Sequence, residues 1–142
     1  MGARIGIKRI YEAAQPEDGY RVLVDRVWPR GVSKADAALD AWMKDLAPST
    51  KLRKWFGHDV ARWEEFRAGY RRELADHPQA LSQLLEKCVQ QRVTLLYSAR
   101  DPEHNQAVVL REVLEEELAE AWAPNEPASP VCYADTIWSG GN

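Results

Sequence analysis

Two charged clusters hold the residues of this chain best suited to chemistry. One is Asp25, Arg26 and Arg30 in YRVLVDRVWPR (residues 20–30), and the other is Ser98, Arg100 and Asp101 in VTLLYSARD (residues 93–101). Each cluster ends an apolar run rich in β-branched residues, which is the pattern of a buried strand. In open α/β sheets the carboxyl ends of strands are where ligands bind. An aspartate at such an end can act as a general base, accept a ribose hydroxyl or pair with a buried arginine. A helix starting directly after a buried strand aims its unpaired N–H groups beyond the strand end. A hydroxyl (Ser98) and a guanidinium (Arg100) beside that helix start suit a phosphate or carboxylate.

Asp25 and His104 are therefore the candidate acid/base residues. Arg26, Trp28, Arg30, Ser98, Arg100, Asp101 and Asn105 are the candidate ligand contacts, with Trp28 offering an aromatic face to a planar ligand. The competing structural reading is an Asp25–Arg100 or Asp101–Arg26 ion pair that ties the two loops together. Buried pairs of that kind bring little net stability, which weighs toward a binding role.

The elements that must position these residues follow from the pattern. Residues 5–10 (IGIKRI) alternate as a strand, and Pro16, Asp18 and Gly19 turn the chain back. Residues 20–24 form a second, more central strand, ended by Pro29 and Gly31. Ser33 with Asp36 opens a short helix. Leu39, Trp42, Met43 and Leu46 have helical spacing, yet Pro48 closes the segment and an extended stretch fits equally well. Ser49 and Gly57 bound a short helix, and Asp59 caps the next, along which Trp63, Phe66, Tyr70 and Leu74 form an apolar stripe. Pro78 starts another helix with Leu81, Leu84, Leu85, Cys88 and Val89 on one face, where Cys88 reads as core. Residues 93–97 are the third strand. Asp101-Pro102 then reads as the cap and first turn of a last helix, with His104 in that first turn. Trp42, Trp55 and Trp63 read as core.

Together these elements predict a small single α/β domain over residues 1–122, its sheet flanked by helices, with strands 20–24 and 93–97 as parallel neighbours. Residues 123–142 read as a C-terminal extension. Its apolar Tyr133, Ile137 and Trp138 are the ground for expecting a homodimer.

The 142-residue chain has a formal net charge of −3, which speaks against nucleic acid as a partner. Arg53, Lys54, Arg62, Arg67, Arg71 and Arg72 make a basic stretch, but Glu64, Glu65 and Glu73 interleave with it, as on a solvated helix face. There is no run for a membrane span and no secretory leader. Cys88 and Cys132 fit no disulfide or metal pattern, so a cytoplasmic protein is expected. His58, His77 and His104 are too scattered for a zinc site, so no metal is expected. Phosphate-loop, dinucleotide and nucleophile-elbow motifs are absent, and nothing names a cofactor.

DRVWPRG with the following SK, APS at residues 47–49, KWFGHD at 54–59 and LLYSARDPEHNQA at 95–107 carry a resemblance. In that order they resemble the YeaO-like branch of a bacterial family, domain of unknown function 488. The likeness covers residues 4–118 and implies a small cytosolic α/β protein of unassigned activity. It also implies that the wider family's Asp-x-Arg signature is matched here only in Asp25. The family's Cys-His-Arg triplet at the start of the last helix is replaced by Asn105-Gln106-Ala107. The function expected on both grounds is binding of, or catalysis on, a phosphate-bearing small molecule or nucleotide. The alternative is a non-catalytic sensor or interaction module.

Overall fold

Val93–Tyr97 is the innermost strand, and its five residues are all buried. In this computed structural model, which describes residues 5–122, it is β4 of a parallel sheet. The sheet order is β1-β4-β2-β3. Here β1 is Ile5–Arg9, β2 is Tyr20–Leu23 and β3 is Ala41–Trp42. Ile7 and Val22 both align with Leu95, so β4 sits between the two N-terminal strands. All strands being parallel, their carboxyl ends share one edge.

The expected parallel pairing of the strands at 20–24 and 93–97 is present. The ambiguous segment after Leu39 resolves as the two-residue β3 and a 3₁₀ turn, Lys44–Leu46. Pairing with β2 overrides its helical spacing. The turn expected at residues 13–19 does not fold β1 back onto β2. It carries the chain past β4 so that both strands flank it.

Alternation along the strands sorts side chains onto two faces. Ile5, Val22, Val24, Val93, Leu95 and Tyr97 meet the helical layer. That layer contains α2 (Thr50–Phe56), α3 (Trp63–Ala75), α4 (Pro78–Gln90) and α5 (Gln106–Trp122). Ser49 caps α2 by accepting from the Leu52 N–H, and Gly57 ends it in a left-handed conformation. Asp59 caps a 3₁₀ turn, Val60–Arg62, that leads into α3, so it does not cap α3 directly. Trp42 and Trp63 are half-buried as packing residues, but Trp55 is 39% exposed, contrary to the core expectation. Its ring lies under the Arg62 guanidinium instead.

The second face is different. Its apolar part is small: Ile10, Leu23, Ala37 and Leu96, with Trp28, Val32, Leu39 and Trp42 packed against them. The one-turn α1, Lys34–Ala37, and the 10–19 connection cover it. A buried ionic network does the rest. Arg21, 4% exposed, donates to Asp18 Oδ2 at 2.6 Å and to the Ala37 carbonyl at 2.8 Å. Lys8 Nζ reaches both Asp18 oxygens at 3.2 and 3.1 Å, and Thr94 Oγ1 donates to the Asp18 carbonyl at 2.7 Å. Gly19 closes the turn at φ 69°, where an added Cβ would lie 2.3 Å from the Arg92 carbonyl oxygen.

Burial pushes the Asp18 carboxyl up. Hydrogen bonds from the Gln15 backbone, Lys8 and Arg21 outweigh it and hold the group below its ordinary 3.8. The tail at 123–142, with the homodimer expectation that rests on it, lies outside the described residues. No helix among the described residues is long and apolar enough to cross a membrane.

Two measurements check this network. Arg21→Met leaves Asp18 buried with one partner fewer and lowers the unfolding free energy by about 3 kcal/mol or more in urea titration. Asp18 is more acidic folded than unfolded. Its stabilisation is therefore complete above the unfolded value of about 3.8 and is lost as pH falls through the lower folded value. Asp18→Asn removes that part of the acid-unfolding slope.

Candidate functional site

The chain leaves β2 at Val24 and Asp25, and α5 begins against that point. Gln106, the first residue of α5, donates from Nε2 to Asp25 Oδ1 and to the Val24 carbonyl at 3.3 Å. The Ser98 hydroxyl and N–H, one residue beyond β4, lie close enough to the Asp25 carboxylate to favour its charged form. Trp42 Nε1 holds the Asp25 carbonyl at 2.7 Å. The carboxylate is thus fixed between the ends of two adjacent strands and is 7% exposed. Burial raises its pKa. The donors from Ser98 and Gln106, with the charge of Arg53, pull it back only in part, and the net direction is upward.

Arg53 arrives from α2, which is fastened at both ends. At its start the Ser49 N–H and hydroxyl donate to the Glu73 carboxylate at 2.8 and 2.6 Å. At its end Phe56 stacks on Phe66 with centroids 4.4 Å apart. Arg26 braces the approach to α2, donating to the Pro48 and Ala47 carbonyls at 3.1 and 3.2 Å. Tyr70, fully buried, donates to the Leu46 carbonyl. The exposed Arg53 side chain is therefore carried on a rigid mount.

The remaining expected site residues separate into two groups. Trp28 packs on the second face, donating to the Val32 carbonyl at 2.7 Å and meeting Trp42 edge-on at 5.3 Å. Its ring is taken up by that packing. Arg30 and Arg100 are exposed, and among the described residues neither guanidinium has a recorded protein partner. Arg9 fixes the loop after β4 by donating to the Ala99 and Ser98 carbonyls at 2.8 and 3.2 Å.

Asp101 does not cap α5. Its Oδ1 accepts the N–H groups of Glu103 and His104 at 2.9 and 3.2 Å, and its Oδ2 lies 2.9 Å from His104 Nδ1. These bonds hold the Asp101 carboxyl below its ordinary value. The cap is Asn105, 2% exposed, which accepts from the Val108 N–H at 3.2 Å and donates to the Asp101 carbonyl at 2.8 Å. α5 thus starts four residues later than Pro102 suggests, and His104 precedes the helix. Its ring stands edge-on to Trp63 at 5.1 Å.

Neither Asp25–Arg100 nor Asp101–Arg26 forms among the described residues: Asp25 is satisfied by Gln106 and Ser98, Asp101 by His104, and Arg26 by backbone. Gln106 and Arg53 are the site residues missing from the sequence expectation. Gln106 had a signal, since the first residue of a helix packed after a strand faces the neighbouring strand end. Arg53 had none, because only tertiary packing brings α2 to Asp25.

No group of three His, Cys, Asp or Glu among the described residues is placed to hold a metal. A groove of about 290 Å³ lined by Tyr20, Met43, Leu84, Glu86 and Lys87 lies elsewhere. Gln106→Ala strips one donor from the carboxylate. The Asp25 carboxyl then titrates at higher pH than in the parent protein, as followed by carbon-detected NMR.

Comparison with known proteins places this geometry. The chain is 48% identical over 110 residues to the uncharacterized protein YeaO of Escherichia coli K12, covering 78% of this chain and 96% of that protein. It is 40% identical over 111 residues to the uncharacterized protein Rv3073c of Mycobacterium tuberculosis, covering 78% and 93%. The uncharacterized protein Mb3100c of Mycobacterium bovis matches to the same extent. No solved structure matches. The model described as the inactive DUF488-N3 subclade matches residues 4–134, and the chain belongs to that bacterial family of domain of unknown function 488.

Proposed function

We propose that this protein binds a compact phosphate-bearing anion, a small phosphate ester or nucleotide, at the carboxyl ends of β2 and β4 without transforming it. One observation carries the reading. Where the wider family's Cys-His-Arg triplet would stand, Asn105 is a buried helix cap, Gln106 is an amide spent on Asp25, and Ala107 is a fully buried core residue. An amide at the base position takes no proton, and a buried methyl clamps no charge. The family description, inactive, agrees. Positive charge for a ligand remains in Arg53, Arg30 and Arg100, which are exposed at or beside this edge. A single small domain acting as a sensor or adaptor fits that division between a fixed frame and free cations.

A thermal-shift screen against inorganic phosphate, nucleotides and sugar phosphates tests it. A phosphate compound raises the melting temperature of the parent protein. Arg53→Ala and Arg100→Ala weaken binding by about tenfold each while their own melting temperatures stay within about 2 °C. Absence of any shift, or unfolding of both variants, sinks the anion-binding reading. One observation favours a second reading as an enzyme: a buried carboxyl with a raised pKa sits against the Ser98 hydroxyl. Phosphorus NMR on any stabilising compound decides between them. Turnover by the parent protein that Asp25→Asn abolishes would establish the enzyme.

A further inference from the structure

One aromatic ring fastens the two loops that carry Arg30 and Arg100. Tyr11 lies two residues beyond β1, and its hydroxyl donates to the Arg30 carbonyl at 2.9 Å. The Arg9 guanidinium covers one side of the ring, 4.8 Å from its centroid, and also donates to the Ala99 and Ser98 carbonyls. The loop after β2 and the loop after β4 therefore meet at Tyr11. Arg30 and Arg100 stand on those loops, both exposed and, among the described residues, without a protein acceptor. The neighbouring acid, Glu12, is turned back onto the Arg9 N–H at 3.2 Å. Tyr11 itself is 46% exposed, the most open tyrosine or tryptophan among the described residues. A brace alone needs no open ring: Trp28 and Trp42 hold loop carbonyls with their rings packed against each other.

We propose that Tyr11 is a stacking platform and that the ligand of this edge is a nucleotide, its base on the open part of the Tyr11 ring and its phosphate held by Arg30 and Arg100. The inference rests on the anion-binding reading above and names the substrate class of that site. Every base has a π-face, so a fixed aromatic ring binds bases with little regard to their identity. A guanidinium grips phosphate through paired N–H groups. The two anchors on Tyr11 hold its ring in place beforehand, so little side-chain freedom is lost when a base arrives. No bond is made or broken.

Calorimetric titration of the full chain with adenosine monophosphate, ribose phosphate, adenosine and inorganic phosphate tests this. The parent protein binds adenosine monophosphate about tenfold more tightly than ribose phosphate, which lacks the base. Adenosine, which lacks the phosphate, binds at least about tenfold more weakly than the nucleotide. Tyr11→Leu lowers the preference for the nucleotide over ribose phosphate below about threefold, and Tyr11→Phe, which keeps the ring, retains most of it. If Tyr11→Leu fails to fold, ring-current shifts of the Tyr11 ring protons on adding adenosine monophosphate to the parent protein decide the matter, and their absence overturns the proposal. Equal affinity of the parent protein for the nucleotide and ribose phosphate, or a preference that survives in Tyr11→Leu, overturns the role of Tyr11 and leaves anion binding standing. Binding of none of the phosphate compounds overturns both.

Discussion

The Asp18 carboxylate gathers Arg21, Lys8 and the Gln15 N–H under the loop that joins the first two strands. The arrangement of the whole sheet follows from that junction. The 10–19 connection must travel past the position later filled by β4, and it has no full helix with which to bury an apolar stripe. An ion pair with backbone anchors takes that part. Its desolvation is costly and its net contribution small, but removal of one partner leaves a buried charge exposed to no water. What the network supplies is definition: it fixes where β2 starts relative to β1, and so leaves the gap that β4 occupies.

With β4 between β1 and β2, the ends of β2 and β4 adjoin, and Asp25 meets Ser98. The start of α5 closes the third side through Gln106. This frame is built almost entirely from hydrogen bonds within the protein. Asp101, Asn105, Arg26 and Trp28, all of ligand-binding type, are bound to their own backbone or neighbours. The division is physical: side chains at a strand end that reach a loop carbonyl become its braces, and those pointing to water stay available.

The shift in the start of α5 shows why local signals misplace a site. Asp-Pro is a sound cap and first-turn pair, and Asp101 does accept two N–H groups. Those bonds close a separate turn. Asn105 offers a buried cap four residues on, where its amide also reaches the Asp101 carbonyl. Two caps compete in sequence, and the one that packs against β4 wins.

The sequence by itself determined the strands at residues 5–10, 20–24 and 93–97, the last two as parallel neighbours, the caps at Ser33 and Ser49 and the stripe of α3. Each of these depends on neighbours close in the chain or on the strong burial of an apolar run. Tertiary structure alone decided that the charge of Arg53 acts on Asp25, that Trp55 is exposed, and that Arg26 and Trp28 serve as braces. Those roles depend on which carbonyl or ring lies within hydrogen-bond or van der Waals reach, and the packing of whole elements sets that reach, even for Trp28, whose acceptor Val32 is four residues on.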